Sequence, residues 1–285
     1  MSAGALSAAN RCAIVWISIE DTDVPHLTRD DGVKIYWEEH GAGDPLLLIM
    51  GLGATLEWWH HILPLLSSKF RTIVYDNRGV GHNDVPTGPY SIPMMAGDAA
   101  AVLDAAGVAS SRVFGASMGG MIAQELALNH PARVRALVLG CTACGGTHVV
   151  PAKREVGAAL AARSTMSREE ASWAMAPYIF DAGTPRERVA QDIAVRLTAT
   201  VTNDGYFAHL GAIRSWAGTH DRLAGLKMPV LVIHGETDQL VPPENGRIVA
   251  AAIPGSTLVM IPHASHIFFT DQFEASTHAL LSFLL

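Results

Sequence analysis

Ser117 stands in the pentapeptide Gly115-Ala116-Ser117-Met118-Gly119, between the apolar run "SRVFGA" and the helical pattern "MIAQELALNHP". A serine hydroxyl is a poor nucleophile until a base takes its proton. If the base is an imidazole, a carboxylate must fix its tautomer and stabilise the imidazolium. Such a set does acyl transfer. The glycines at 115 and 119 bear on the geometry. A strand that turns sharply into a helix would drive Cβ atoms at those positions into its neighbours, and glycine has none. The serine between them can then take a strained conformation that aims its hydroxyl outward, with the positive end of the next helix at the same point.

Two later apolar runs supply partners in the order serine, acid, base. "VLVIHGETDQLVP" delivers Asp238 just past its strand. Glu236 competes for the acid's place, but Gly235-Glu236-Thr237 reads as the turn itself, which favours Asp238. His234, at the strand's end, reads as a packed histidine. "TLVMIPHASHIFF" delivers His263 and His266. His266 is favoured as base because Pro262 and His263 begin the turn. A developing oxyanion needs two backbone N–H donors. The residue after the serine, Met118, offers one. Leu52, between the glycines of "MGLGATLEWW", offers the other. Neither "GLGATL" nor "GVGHND" has the third glycine of a dinucleotide cradle. "DNRGVG" reads as a structural turn in which Asp76 and Arg78 tie loops together.

These residues need a scaffold. Continuous apolar runs at Pro45 to Gly53, at Arg71 to Gly81 with its closing glycine turn, and at Val134 to Gly140 read as strands buried on both faces, hence as a parallel sheet under helices. The alternating stretch Val33 to Gly41 reads as a half-buried strand. Strand and helix alternate from Pro45 to Gly140, which specifies a doubly wound α/β sheet. Residues 147–220 show only helical, amphipathic patterns and read as an inserted cap. Residues 25–146 and 221–285 make the core, and 1–24 read as an N-terminal extension. In the cap, Trp173, Met175, Tyr178, Ile179 and Phe180 either line a pocket or form the cap's own core. Trp58 and Trp59 either wall the pocket or pack the first helix.

Composition excludes several classes of function. Of 285 residues, 49% are hydrophobic and 16% charged, enough for a sizeable core. The formal net charge of −7 and the lack of a basic patch argue against nucleic acid and anionic membranes. No apolar run is long enough to span a bilayer, which takes about 20 residues. Cys12, Cys141 and Cys144 are no disulfide framework and point to a reducing, cytoplasmic setting. Cys141 and Cys144, with His148 near, read as small buried residues at a strand end rather than as a metal or redox motif. No metal or organic cofactor is expected, and the oligomeric state is not legible.

The segments "MGLG", "YDNRGVG", "GASMGGMIAQELALNHPARVRALVLG", "LVIHGETDQLVP" and "IPHASHIFF" together resemble the α/β-hydrolase fold superfamily, in its capped, esterase-like branch. The resemblance covers about Val24 to Leu285. "LVLGCTACGG" is similar to bacterial enzymes called carboxylesterases or 3-oxoadipate enol-lactonase-like proteins. The resemblance implies Ser117 as nucleophile, Asp238 as acid, His266 as base, and Leu52 and Met118 as oxyanion donors. It departs where Met50 replaces a common histidine and His263 a common glycine. A serine at the elbow excludes the relatives that open epoxides or displace halide from an aspartate. The implied activity is a serine carboxylesterase on small to medium esters. A lactonase, a carbon–carbon bond hydrolase and a non-catalytic ligand receptor are the alternatives.

Overall fold

The computed structural model describes residues 25–285. The expected N-terminal extension, residues 1–24, and Cys12 within it lie outside the described residues. Eight strands form one sheet: β1 (His26–Thr28), β2 (Lys34–His40), β3 (Pro45–Ile49), β4 (Arg71–Tyr75), β5 (Ser111–Ala116), β6 (Val134–Gly140), β7 (Val230–Gly235) and β8 (Thr257–Ile261). Their spatial order is β1-β2-β4-β3-β5-β6-β7-β8. Only the β1–β2 and β2–β4 pairs are antiparallel; the other five are parallel. The helices are α1 (Leu63–Ser67), α2 (Ile92–Ala105), α3 (Met118–Asn129), α4 (Arg154–Ala162), α5 (Arg168–Ile179), α6 (Arg186–Arg196), α7 (Asn203–Ser215), α8 (Glu244–Ala252), α9 (Phe268–Asp271) and α10 (Phe273–Leu284).

The continuous apolar strands follow from a sheet covered on both faces. In β3, Leu47 and Ile49 pack with Val113, Leu137, Val232 and the α2 and α3 side chains. Leu46 and Leu48 point the other way, against Trp59, Phe114, Phe268 and Leu280. The period of two thus splits one apolar run between two cores.

Local signals set the boundaries. Ser91 caps α2 by accepting the Met94 N–H at 3.2 Å. The run expected to extend from Pro45 to Gly53 stops as a strand at Ile49, because Asn77 Nδ2 takes the Met50 carbonyl at 2.8 Å. In the "DNRGVG" turn, Asp76 accepts N–H groups of Leu56 and His82. Arg78 forks onto Asp98 at 2.6 and 2.8 Å.

Between β6 and β7 the described chain contains α4 to α7 and no strand. Helix α5 opens with a capping box, Ser167 and Glu170 each binding the other's backbone N–H. Asp271 ties this segment to the core by accepting from Asp181 N, Thr184 Oγ1 and Ser265 N.

The glycines at the centre of the sheet are fixed by crowding. A Cβ on Gly119 would sit 2.0 Å from the Ile49 carbonyl oxygen, and one on Gly115 would sit 2.2 Å from the Gly119 oxygen. Both obstacles are backbone and cannot swing away. Gly119→Ala is therefore expected to lower stability by about 2 kcal/mol or more, from overpacking. Urea unfolding checks this: a loss under about 0.5 kcal/mol would show that α3 and β3 can move apart freely.

Candidate active site

Strand β5 ends at Ala116 and α3 begins at Met118, so the whole reversal falls on Ser117. Its backbone sits at φ 59°, ψ −123°, a region that L residues rarely occupy. The neighbours over-determine that strain. Ser117 N donates to the Gly140 carbonyl at 2.8 Å, and the Ser117 carbonyl accepts from Thr142 Oγ1 at 2.7 Å. Thr142 fits because Gly120 has no side chain there.

The acid and base come from the next two strand ends. Asp238 follows β7 and is buried, at 3% exposure. Its Oδ1 accepts the N–H groups of Leu240 and Val241, each at 2.9 Å. Its Oδ2 lies 2.8 Å from His266 Nδ1. Burial pushes this carboxyl up, but the His266 charge and the hydrogen bonds from His234 and His266 outweigh burial and hold it below the usual carboxylate range. Asp238 is thus the ionised acceptor that keeps the proton on His266 Nδ1 and leaves Nε2 as the basic nitrogen.

Ser117 and His266 line one cleft, together with Gly51 and Leu52. A Cβ on Gly51 would stand 3.3 Å from Ser117 Oγ, so the loop carrying Leu52 runs directly against the serine. Neither the Leu52 nor the Met118 backbone N–H donates to a protein acceptor among the described residues. Ser117, Asp238, His266, Leu52 and Met118 therefore share one end of the sheet. The competitors Glu236 and His263 are exposed, and His263 takes a turn conformation with φ 54°.

The other side chains here are legible in the sequence only in part. His234 packs at the end of β7, as its position suggests, but it also approaches the acid: its Nε2 lies 3.2 Å from Asp238 Oδ2 and 2.8 Å from the Val241 carbonyl. Met175, Ile179 and Trp58 line the cleft, whereas Trp59 lies wholly in the core. Arg163 and Arg196 line it too.

His209, on α7, fixes the loop before Ala54. Gly53 N donates to His209 Nδ1 at 3.2 Å, so the ring's proton is on Nε2, which donates to the Arg78 carbonyl at 2.7 Å. The ring is fully buried, and burial lowers its pKa from 6.5 to about 4. A base whose folded pKa is depressed contributes stability in full above 6.5, lost as pH falls towards about 4. At about 1.4 kcal/mol per unit the contribution is of order 3 kcal/mol. Urea unfolding at pH 7 and pH 4.5 is expected to show a smaller acid loss in His209→Asn than in the wild type. Equal losses would contradict this role.

Cys141 and Cys144 are buried free thiols, and burial raises the pKa of both. Two groups of described residues have metal-ligand types within reach of one another: His60, His61 and Asp192, and His148, His220 and Asp221. Asp192 is already held by Arg196 and by Thr270. The His148 and His220 rings stack at 3.5 Å and 10°, which sets their in-plane lone pairs side by side instead of converging. Among the described residues no helix is long and apolar enough to cross a membrane.

Comparison with known proteins agrees with this fold. The family model for the alpha/beta hydrolase fold matches residues 44–160 and 194–273. A poly(3-hydroxyalkanoate) depolymerase of Ectopseudomonas oleovorans is 32% identical over 243 residues, covering 84% of each chain. The 3-oxoadipate enol-lactonase 2 of Acinetobacter baylyi is 30% identical over 262 residues, 89% of this chain and 94% of that one. The solved enol-lactonase of Burkholderia xenovorans LB400 superposes with a TM-score of 0.81 at 28% identity, over 91% of this chain and 99% of that one. The chain belongs to the alpha/beta hydrolase fold family.

Proposed function

We propose that this protein is a serine hydrolase of carboxylic esters, working through an acyl-enzyme on Ser117. The observation that carries this reading is the shared cleft. A serine held at φ 59° opens into the same space as an imidazole whose Nδ1 is bound to a buried carboxylate. His266 Nε2 takes the Ser117 proton as Oγ attacks the ester carbonyl. The N–H groups of Leu52 and Met118 receive the oxyanion. The imidazolium, stabilised by Asp238, then protonates the departing alcohol, and water repeats the steps on the acyl-enzyme. No step calls for a metal or an organic cofactor. The partner is a small-molecule ester, and the buried thiols suit a cytoplasmic setting.

A second reading, hydrolysis of cyclic esters, is favoured by the relatives named enol-lactonases. The same side chains serve it, because ring opening needs the same attack and the same proton transfer. A panel of 4-nitrophenyl esters of rising acyl length, run beside simple lactones, tests both. Saturable turnover of at least one class is expected; inactivity on both would overturn the proposal.

A further inference from the structure

The cleft that holds Ser117 and His266 is lined by two guanidinium groups and by no carboxylate. Their situations differ. Arg196 is buried and has a counter-charge, pairing with Asp192 one turn earlier on α6 and stacking 3.8 Å over the Trp58 ring, although its Nη2 also lacks a hydrogen-bond partner. Arg163 directly follows α4 and is half-buried. Its Cζ lies 4.4 Å over the Tyr206 ring, and no Asp or Glu pairs with it among the described residues. Its Nε is sealed from solvent without a partner. The Tyr206 ring in turn packs against Gly53, so Arg163 is coupled by contact to the loop that carries Leu52.

A guanidinium in an apolar cleft has lost part of its hydration and, here, has no counter-charge to replace it. Stacking on an aromatic face offsets only a little of that cost. An anionic ligand would offset more. The planar fork of an arginine holds a carboxylate through two parallel bonds, a geometry that a single arginine can complete. A phosphate dianion calls for more donors than one guanidinium supplies.

We propose that Arg163 anchors a free carboxylate at the far end of the substrate's acyl chain. The preferred substrates are then half-esters of dicarboxylic acids, or lactones that bear a carboxylate. The attack on such substrates rests on the serine hydrolase reading, whereas the binding at Arg163 does not.

The test compares monomethyl with dimethyl esters of linear dicarboxylic acids from glutarate to suberate. Acid release is followed in a pH-stat for the wild type, Arg163→Gln and Arg163→Lys. At the best chain length the wild type is expected to favour the half-ester by about 10-fold or more in kcat/KM. That ratio should fall by about 10- to 100-fold in Arg163→Gln, chiefly through the KM of the half-ester, and by less in Arg163→Lys. Calorimetric binding of the matching dicarboxylate to Ser117→Ala, with and without Arg163→Gln, is expected to weaken by a similar factor. An unchanged ratio together with unchanged binding would overturn the anchor and leave ester hydrolysis standing. Arg163-dependent binding without turnover of any ester would do the reverse.

Discussion

Replacing Ser117 by alanine is expected to lower kcat on any ester that the protein turns over by about 10⁴- to 10⁶-fold. The size follows from the way the parts act as one. Without Oγ there is no covalent intermediate, and His266 and the two N–H donors are left with only a water to activate. The fold should survive, because what holds position 117 is backbone: its N–H is bound to the Gly140 carbonyl and its carbonyl to Thr142. Alanine at φ 59° meets about the same backbone strain as serine. Urea unfolding of Ser117→Ala should therefore stay within about 1 kcal/mol of the wild type. Turnover within 10-fold of the wild type, in a folded variant, would remove Ser117 from the chemistry.

The second large effect is expected at the acid. Asp238→Asn should cost about 10³- to 10⁴-fold in kcat while leaving the protein folded. Asparagine keeps one oxygen to accept the Leu240 and Val241 N–H groups, so the loop after β7 holds. Its amide, however, can present an N–H to His266 Nδ1, where Asp238 now presents an acceptor 2.8 Å away. The imidazole then carries its proton on Nε2 and cannot take one from Ser117. Glu236→Gln is the matched control, because Glu236 is exposed two residues earlier in the same turn. Its activity should stay within about 2-fold of the wild type, as is usual for a surface change. If Glu236→Gln were the crippled variant and Asp238→Asn active, the carboxylates would have been assigned the wrong way round.

The places of the candidate residues are legible in the sequence because they are dictated locally. Gly115 and Gly119 betray a tight reversal, and the buried runs before Asp238 and His266 place both at the same edge of a parallel sheet. Leu52 was legible for the same reason, between two glycines at a strand end. His209 was not. It lies on a helix 156 residues along the chain from the Gly53 N–H it accepts, and nothing in its own neighbourhood marks it. Arg163 and Arg196 were hidden likewise: in the sequence they are ordinary charges in amphipathic helical stretches, and only the folding of α4 to α7 brings them into the cleft that Ser117 lines. His234 was half legible. Its burial could be read from the end of β7, but its approach to Asp238 depends on the turn between them. Between β6 and β7, Met175 and Ile179 on α5 reach the cleft while Phe180, in extended backbone just past the helix end, packs beside them, a distinction that composition does not encode.

The most direct test of the central claim is covalent capture. The protein would be incubated with a fluorophosphonate, which reacts with an activated serine and mimics the tetrahedral intermediate, and then analysed by intact mass and peptide mapping. One adduct per chain, on the peptide containing Ser117, with esterase activity falling in proportion to labelling, is the predicted result. Full inhibition with the adduct on another residue, or undiminished activity in a protein labelled completely at Ser117, would contradict it.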